Sequence, residues 1–184
     1  ASGGMYGESS INIYEWESGK RLMSQKLEPR YFAEGLTIVN HQVFLMTWQE
    51  QTCFVLDADN LKTINQFSFP GEGWGIAGKD DTLYVSNGSE TITLYHAATL
   101  KPLGVLTVVD DGYPVEKLNE LEIIGDEIWA NVYQSDLIVA FDRFTGIVKR
   151  WLNCSALRQD QLNNPKAEVL NGIAYNNVTG DIWN

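Results

Sequence analysis

A short motif that opens a strand recurs along this chain, and its spacing narrows the available folds more than any other feature. Glu34-Gly35-Leu36-Thr37, Trp74-Gly75-Ile76-Ala77, Glu120-Leu121-Glu122-Ile123 and Asn171-Gly172-Ile173-Ala174 share one pattern. Each has a polar or aromatic residue, then a small or apolar one, then an aliphatic residue leading into a strand. Taking positions 35, 75, 121 and 172 as equivalent gives intervals of 40, 46 and 51 residues, the last stretched by an insertion. A period of ~40–50 residues with several short strands per unit marks the blades of a β-propeller. The expected fold class is therefore all-β, a ring of blades whose innermost strands begin at these points. Glu34, Trp74, Asn119 and Asn171 would then lie near one axis, and function is to be sought at one end of it.

The residues between the motifs support the same reading. Ile11 to Trp16 alternates with period two, as a half-buried strand does, and Leu22 to Leu27 returns beside it. Asp57-Ala58-Asp59-Asn60-Leu61, His96-Ala97-Ala98-Thr99-Leu100 and Asp142-Arg143-Phe144-Thr145-Gly146 occupy equivalent turns between outer strands. One propeller domain over 1–184 is expected: a partial first blade at 1–30, blades starting near 32, 74 and 119, and a partial last blade at 169–184. The polar stretch 155–166, with Pro165, reads as a short helical insertion. A blade ending in mid-sheet exposes unpaired edges. The expectation is that the chain is truncated at both ends, with about four blades of strands present.

Composition removes several function classes. A formal net charge of −11 opposes binding to nucleic acid or to anionic membrane surfaces. No apolar run approaches the ~18–20 residues of a membrane span. The two cysteines, Cys53 and Cys154, lack CxxC spacing and read as spectator thiols. With only His41 and His96, both near turns, a histidine-based triad or a multi-histidine metal site is nearly excluded. No metal ligands are assigned and no cofactor is required. Carboxylates, aromatics and amides remain to carry chemistry.

Glu34 is followed by a glycine that permits close backbone approach, and Phe32 stands beside it. A carboxylate among aromatics would have a raised pKa and could shuttle protons. The alternative is a carboxylate that caps backbone N–H groups. Trp74, flanked by glycines, is expected to line a cavity, and Trp48 either lines it or fills core. Asn119 precedes an inner strand, where its amide could hold a substrate carbonyl or merely shape a turn. Tyr133 is the third-blade counterpart of Trp48. Trp16, Trp129 and Trp151 read as core.

In order along the chain, Tyr6-Gly7-Glu8-Ser9-Ser10, Phe32-Ala33-Glu34-Gly35-Leu36-Thr37, Leu45-Met46-Thr47-Trp48, Gly71-Glu72-Gly73-Trp74-Gly75, Leu118-Asn119-Glu120-Leu121-Glu122, Ala130-Asn131-Val132-Tyr133 and Leu170-Asn171-Gly172-Ile173-Ala174 resemble the plant and bacterial glutaminyl cyclases. That resemblance implies a five-bladed propeller that converts the N-terminal glutamine of peptides or proteins to pyroglutamate and releases ammonia, without zinc. It implies Glu34 as the acid/base group and Asn119 as the residue orienting the substrate. Phe32, Trp48 and Trp74 would wall the pocket, with Tyr133 where the family usually has Trp. A structural calcium in the central channel of some members and an extracytoplasmic location are also implied; a monomer is expected. The family's opening Phe-Thr-Gln-Gly-Leu segment and its C-terminal Thr-Gly-Lys-x-Trp-Pro segment, whose lysine would stabilise an oxyanion, are not in this sequence. Two rival readings stand beside the enzyme: a propeller that binds peptide N-termini or a protein partner without turnover, and a structural propeller whose aromatics are core. A calcium-dependent lactonase-type propeller would need a set of channel-facing carboxylates that cannot be assembled from this chain.

Overall fold

The structure is a computed structural model and describes residues 2–157 and 169–183. Its alternating segments become short antiparallel strands that pair in chain order. Strands β1 (Ser2–Gly3), β2 (Ser10–Tyr14) and β3 (Arg21–Lys26) form a three-stranded sheet. Three four-stranded sheets follow. They comprise β4 (Ala33–Val39), β5 (Gln42–Thr47), β6 (Thr52–Asp57) and β7 (Thr63–Ser68); then β8 (Gly75–Lys79), β9 (Thr82–Ser86), β10 (Thr91–His96) and β11 (Pro102–Thr107); and, beyond a small hairpin, β14 (Leu118–Ile124), β15 (Glu127–Val132), β16 (Leu137–Asp142) and β17 (Val148–Asn153). The hairpin, β12 (Val109–Asp110) with β13 (Tyr113–Pro114), turns at Asp111-Gly112. It accounts for the longer interval between the second and third motifs, and the repeat pattern did not foretell it. A last pair joins β18 (Ala174–Tyr175) to β19 (Ile182–Trp183).

Burial falls from the inside of each blade to its rim. The second strands β5, β9 and β15 are almost wholly buried, whereas the fourth strands β7, β11 and β17 are mostly exposed. Trp151 on β17 is accordingly 41% exposed and donates its indole N–H to Asp110 Oδ2 at 2.8 Å. Trp16, beyond the end of β2, is 69% exposed. The core reading fails for both because period two alone cannot tell an outer strand from an inner one; Trp129 is buried as expected.

The core lies between blades. One cluster, around Ile11, Val43, Leu45 and Leu56, joins the first sheet to the second. Phe44, Met46, Ile76 and Leu83 join the second to the third. Tyr84, Ile92, Leu118, Ile128 and Phe141 join the third to the fourth, and Trp129, Ile138, Leu170 and Ile173 carry the packing to the last pair. Apolar side chains on the facing sides of neighbouring sheets thereby cover one another, which is what stacking sheets radially achieves.

The expected turns share one geometry. The fifth residue donates its backbone N–H to the first carbonyl in Asp57–Leu61 (2.9 Å), His96–Leu100 (2.7 Å) and Asp142–Gly146 (2.9 Å), and again in Glu15–Gly19 and Asn176–Gly180. Asp57, Asp142 and Asn176 each cap their turn with a side-chain oxygen. The helical insertion expected over 155–166 lies mostly outside the described residues; 155–157 form one helical turn.

Register corrects the motif alignment by one residue. Leu36, Ile76 and Leu121 pair with Leu45, Val85 and Ala130 at matching positions in their sheets. In β4 the ladder skips between Ala33 and Leu36, and in β14 it skips in the same way between Leu118 and Leu121. Glu34-Gly35, Trp74-Gly75 and Asn119-Glu120 are therefore the equivalent pairs. The partner of Gly75 is Glu120, not Leu121. A one-residue slip exchanges the faces of a strand, so it decides which side chains meet.

Candidate active site

The inner strands come together because two of them carry no side chain where they touch. A Cβ on Gly35 would stand 2.8 Å from Ile76 N and 2.9 Å from Gly75 Cα. One on Gly75 would stand only 2.3 Å from Asn119 O. Ser86 Oγ donates to that same carbonyl at 2.6 Å, tying β9 to β14. The starts of β4, β8 and β14 are thus drawn to one place. Phe32, Glu34, Trp48, Trp74, Asn119, Tyr133 and Asn171 line a cavity of about 250 Å³ there.

Every residue singled out from the sequence as catalytic or substrate-binding faces this cavity, with Asn171 added. The structural-propeller rival required that Glu34, Trp74 and Asn119 fail to converge, and they do converge. Trp48 is a wall of the cavity. It follows the end of β5, with its backbone N–H on Phe32 O at 3.0 Å; Tyr133 follows β15 in the same way, on Lys117 O at 2.8 Å.

The aromatic rings meet edge to face. Phe32 and Trp48 have centroids 5.6 Å apart, and Trp74 and Tyr133 5.2 Å apart. Tyr6 extends the first pair, 5.3 Å from Phe32, and donates its hydroxyl to Glu50 Oε1 at 2.8 Å. Gly88, at φ +82°, leaves room for the Trp74 ring, which a Cβ there would approach to 2.7 Å. Such T-shaped pairs hold ring orientation more firmly than area burial alone.

Glu34 sits among these rings with its backbone carbonyl accepting from Ser2 Oγ at 2.8 Å. Among the described residues its carboxylate takes no hydrogen bond and no ion pair, so the capping alternative is not what the structure adopts. Burial raises its pKa to about 7. Next along the axis, burial together with the charges of Glu34 and Glu122 pushes Glu120 up to about 8, and burial also raises Glu122. Asn119 is buried and donates an amide N–H to Asn171 Oδ1 at 3.1 Å. That bond orients the amide and, among the described residues, leaves its carbonyl oxygen and second amide hydrogen without a hydrogen-bond partner.

Two features escaped the sequence reading. Glu120 was masked by the one-residue misalignment. Glu72 accepts hydrogen bonds from the indoles of both Trp48 and Trp74; it lies in a glycine-rich loop with no periodicity to flag it. The histidines lie elsewhere: His41 bonds Asp59 at 3.0 Å, and His96 Nδ1 accepts from Ala98 N at 3.2 Å. Cys53 and Cys154 are free thiols. Among the described residues no three histidine, cysteine or acidic side chains are placed to hold a metal ion. No helix among them is long and apolar enough to cross a membrane.

A family model described as glutamine cyclotransferase matches residues 1–184. A glutaminyl-peptide cyclotransferase of Arabidopsis thaliana is 35% identical over 191 residues, covering 99% of this chain and 60% of the relative. The crystal structure of a Myxococcus xanthus glutaminyl cyclase superposes with a TM-score of 0.87 at 30% identity, over 97% of this chain and 78% of that one. The WD40 domain of Neurospora crassa Pan2 matches at a TM-score of 0.59 with 10% identity, over 82% of this chain and 45% of that one, a likeness of fold alone.

Proposed function

The chain belongs to the glutamine cyclotransferase family, and from that premise we propose that it converts an N-terminal glutamine of peptides or proteins to pyroglutamate with release of ammonia. It spans 60% of the length of the Arabidopsis relative, so the activity is a proposal for this chain. The observation that carries it is a carboxyl group without a hydrogen-bond partner among the described residues, with a pKa of about 7, in an aromatic cavity beside an oriented amide.

In this reading the α-amine nitrogen of the substrate attacks its own side-chain amide carbon. A C–N bond forms, the carbonyl becomes an oxyanion, and the former amide nitrogen leaves as ammonia. Glu34 as carboxylate binds the α-ammonium and takes one proton from it, freeing the amine to attack. As carboxylic acid it returns that proton to the departing nitrogen as the oxyanion collapses and the old C–N bond breaks; as carboxylate again it takes the second proton from the ring nitrogen and passes it to solvent. A pKa near the working pH populates both forms, the condition under which one group serves both steps. Phe32, Trp48, Trp74 and Tyr133 enclose the aliphatic part of the side chain. Asn119 offers its carbonyl oxygen to the substrate N–H groups, or its remaining amide hydrogen to the carbonyl. Because the reaction is intramolecular, holding the amine against the amide carbon supplies much of the acceleration.

Among the described residues the cavity lining contains no lysine or arginine. In the proposed enzyme the oxyanion is therefore met by Asn119 or by the lysine segment that the resemblance implies. The same observation favours the second reading, a propeller that binds peptide N-termini without turnover. We extend the proposal to a five-bladed ring, zinc-independent chemistry, a monomer and an extracytoplasmic location; these rest on the family and on the lack of a histidine cluster. Incubation with a glutamine-initiated peptide, read by mass spectrometry for loss of ammonia, tests the proposal. Conversion of that peptide but not of its asparagine-initiated analogue supports cyclase activity; stoichiometric binding without conversion supports the second reading.

A further inference from the structure

Glu72 does not line the cavity, yet it joins the cavity's two indoles. Its Oε2 accepts the Trp48 Nε1–H at 2.9 Å and the Trp74 Nε1–H at 2.8 Å, while Oε1 accepts from Gln49 Nε2 at 3.1 Å. The two tryptophans come from neighbouring blades, one just after β5 and the other just before β8. Each leans on a different aromatic, Trp48 on Phe32 and Trp74 on Tyr133. One carboxylate oxygen is therefore the shared acceptor of both ring systems.

The backbone around Glu72 is built to hold it there. Gly73 N donates to Trp48 O at 2.8 Å, and a Cβ on Gly73 would come within 2.3 Å of Met46 Cε and 2.8 Å of Thr47 O. Gly71, at φ +82°, makes the turn that brings the loop back onto β5. The hydrogen bonds from Trp74, Gln49 and Trp48 favour the ionised carboxylate and lower its pKa.

We propose that Glu72 is a positioning residue that sets the separation and tilt of Trp48 and Trp74, and through them the width of the slot that receives the substrate side chain. The role assigned to the slot rests on the cyclase reading; the hydrogen-bonding geometry does not. Without the carboxylate, two indole N–H groups lose their acceptor and both rings gain rotational freedom. Binding should then suffer more than the chemical step, because Glu34 and Asn119 are untouched.

The test compares wild type, Glu72→Ala and Glu72→Gln by indole ¹H–¹⁵N NMR and by steady-state kinetics on a glutamine-initiated dipeptide. Trp48→Phe and Trp74→Phe assign the two resonances. In Glu72→Ala both should shift and exchange faster, while those of Trp129 and Trp151, bonded to Glu127 and Asp110, stay in place. KM should rise roughly tenfold, the loss of about one charge-assisted hydrogen bond, with a smaller change in kcat. Glu72→Gln keeps one acceptor oxygen and should recover most of both effects. In a Trp48→Phe/Trp74→Phe background, Glu72→Ala should add nothing further. Unmoved Trp48 and Trp74 resonances in Glu72→Ala would overturn the proposal, as would a full KM effect in the double-Phe background. If wild type shows no turnover, the cyclase reading fails while the resonances still decide the role of Glu72. If Trp129 and Trp151 also move in Glu72→Ala, Glu72→Gln is decisive: Trp48 and Trp74 resonances that are native, or that alone are shifted, support positioning, and movement of all four contradicts it.

Discussion

The starts of β4 and β14 occupy equivalent places in their blades, and each pair of residues there holds one glutamate, at the first position in β4 and at the second in β14. On β4 the cavity residue is the carboxylate Glu34 and the next position is Gly35. On β14 the cavity residue is the amide Asn119 and the next position is the carboxylate Glu120. Both glutamates are desolvated, and both have raised pKa values. Only the first reaches the cavity. The chemistry of this pocket therefore depends on which of two adjacent bulge positions holds the acid, and a shift of one residue would turn a reactive group into a channel group.

The largest expected effect tests that distinction. Glu34→Gln should lower turnover by ~10²–10⁴, the usual weight of a positioned acid/base group. Glu120→Gln, one step further along the equivalent strand, should retain turnover. An ammonia-release assay on both variants checks the pair, and equal losses would erase the contrast.

Asn119→Ala should reduce kcat/KM by ~10–100-fold, what an unpaired polar partner of ~1–3 kcal/mol implies. The Asn171→Ala variant should lose less, because it removes the orientation of the amide but not the amide. Gly75→Ala concerns stability rather than chemistry: its Cβ would fall 2.3 Å from a backbone carbonyl that cannot swing aside. A loss of ~1–3 kcal/mol is expected for such overpacking, measured by urea unfolding. Gly104→Ala, where a Cβ meets nothing within 4 Å, is the matched control.

The smallest effects are in pH dependence. A carboxyl whose folded pKa is raised binds more protons in the folded state, so its contribution to stability is greatest below the unfolded value and is lost as pH rises through the folded one. For Glu34 and Glu120 that window runs from the ordinary carboxylate range to about 7 and about 8. Glu120→Gln should flatten the decline in stability on the alkaline side of this window. Glu34→Gln should move Glu120 downward, since the Glu34 charge is one of the causes of its shift. Glu72 runs the other way: its lowered pKa gives stability that is present above the ordinary carboxylate range and lost on acidification.

Much of this was readable in the sequence, for identifiable reasons. Blades follow from repeated strand starts and turn residues; Phe32, Glu34, Trp74, Asn119 and Asn171 lie at or just before those starts, and Trp48 and Tyr133 just after the second strands that pair with them. Glu120 was misplaced because a bulge adds a residue without leaving a mark in the hydrophobic pattern. Trp16 and Trp151 read as core in the sequence yet lie exposed, because alternation reports that one face is covered, not where the strand lies in the depth of the blade. Glu72 was invisible as a functional group. Its role depends on two indoles that come from different blades, a proximity that only the packed structure supplies.

The most direct test of the central claim is a carboxyl-carbon NMR titration of the folded protein labelled at glutamate, with Glu34 assigned by its disappearance in Glu34→Gln. A midpoint of about 7 is the predicted result. A midpoint at the ordinary carboxylate value of ~4.3 would contradict it, because Glu34 would then be solvated and ionised and could not act as the acid that returns the proton to ammonia.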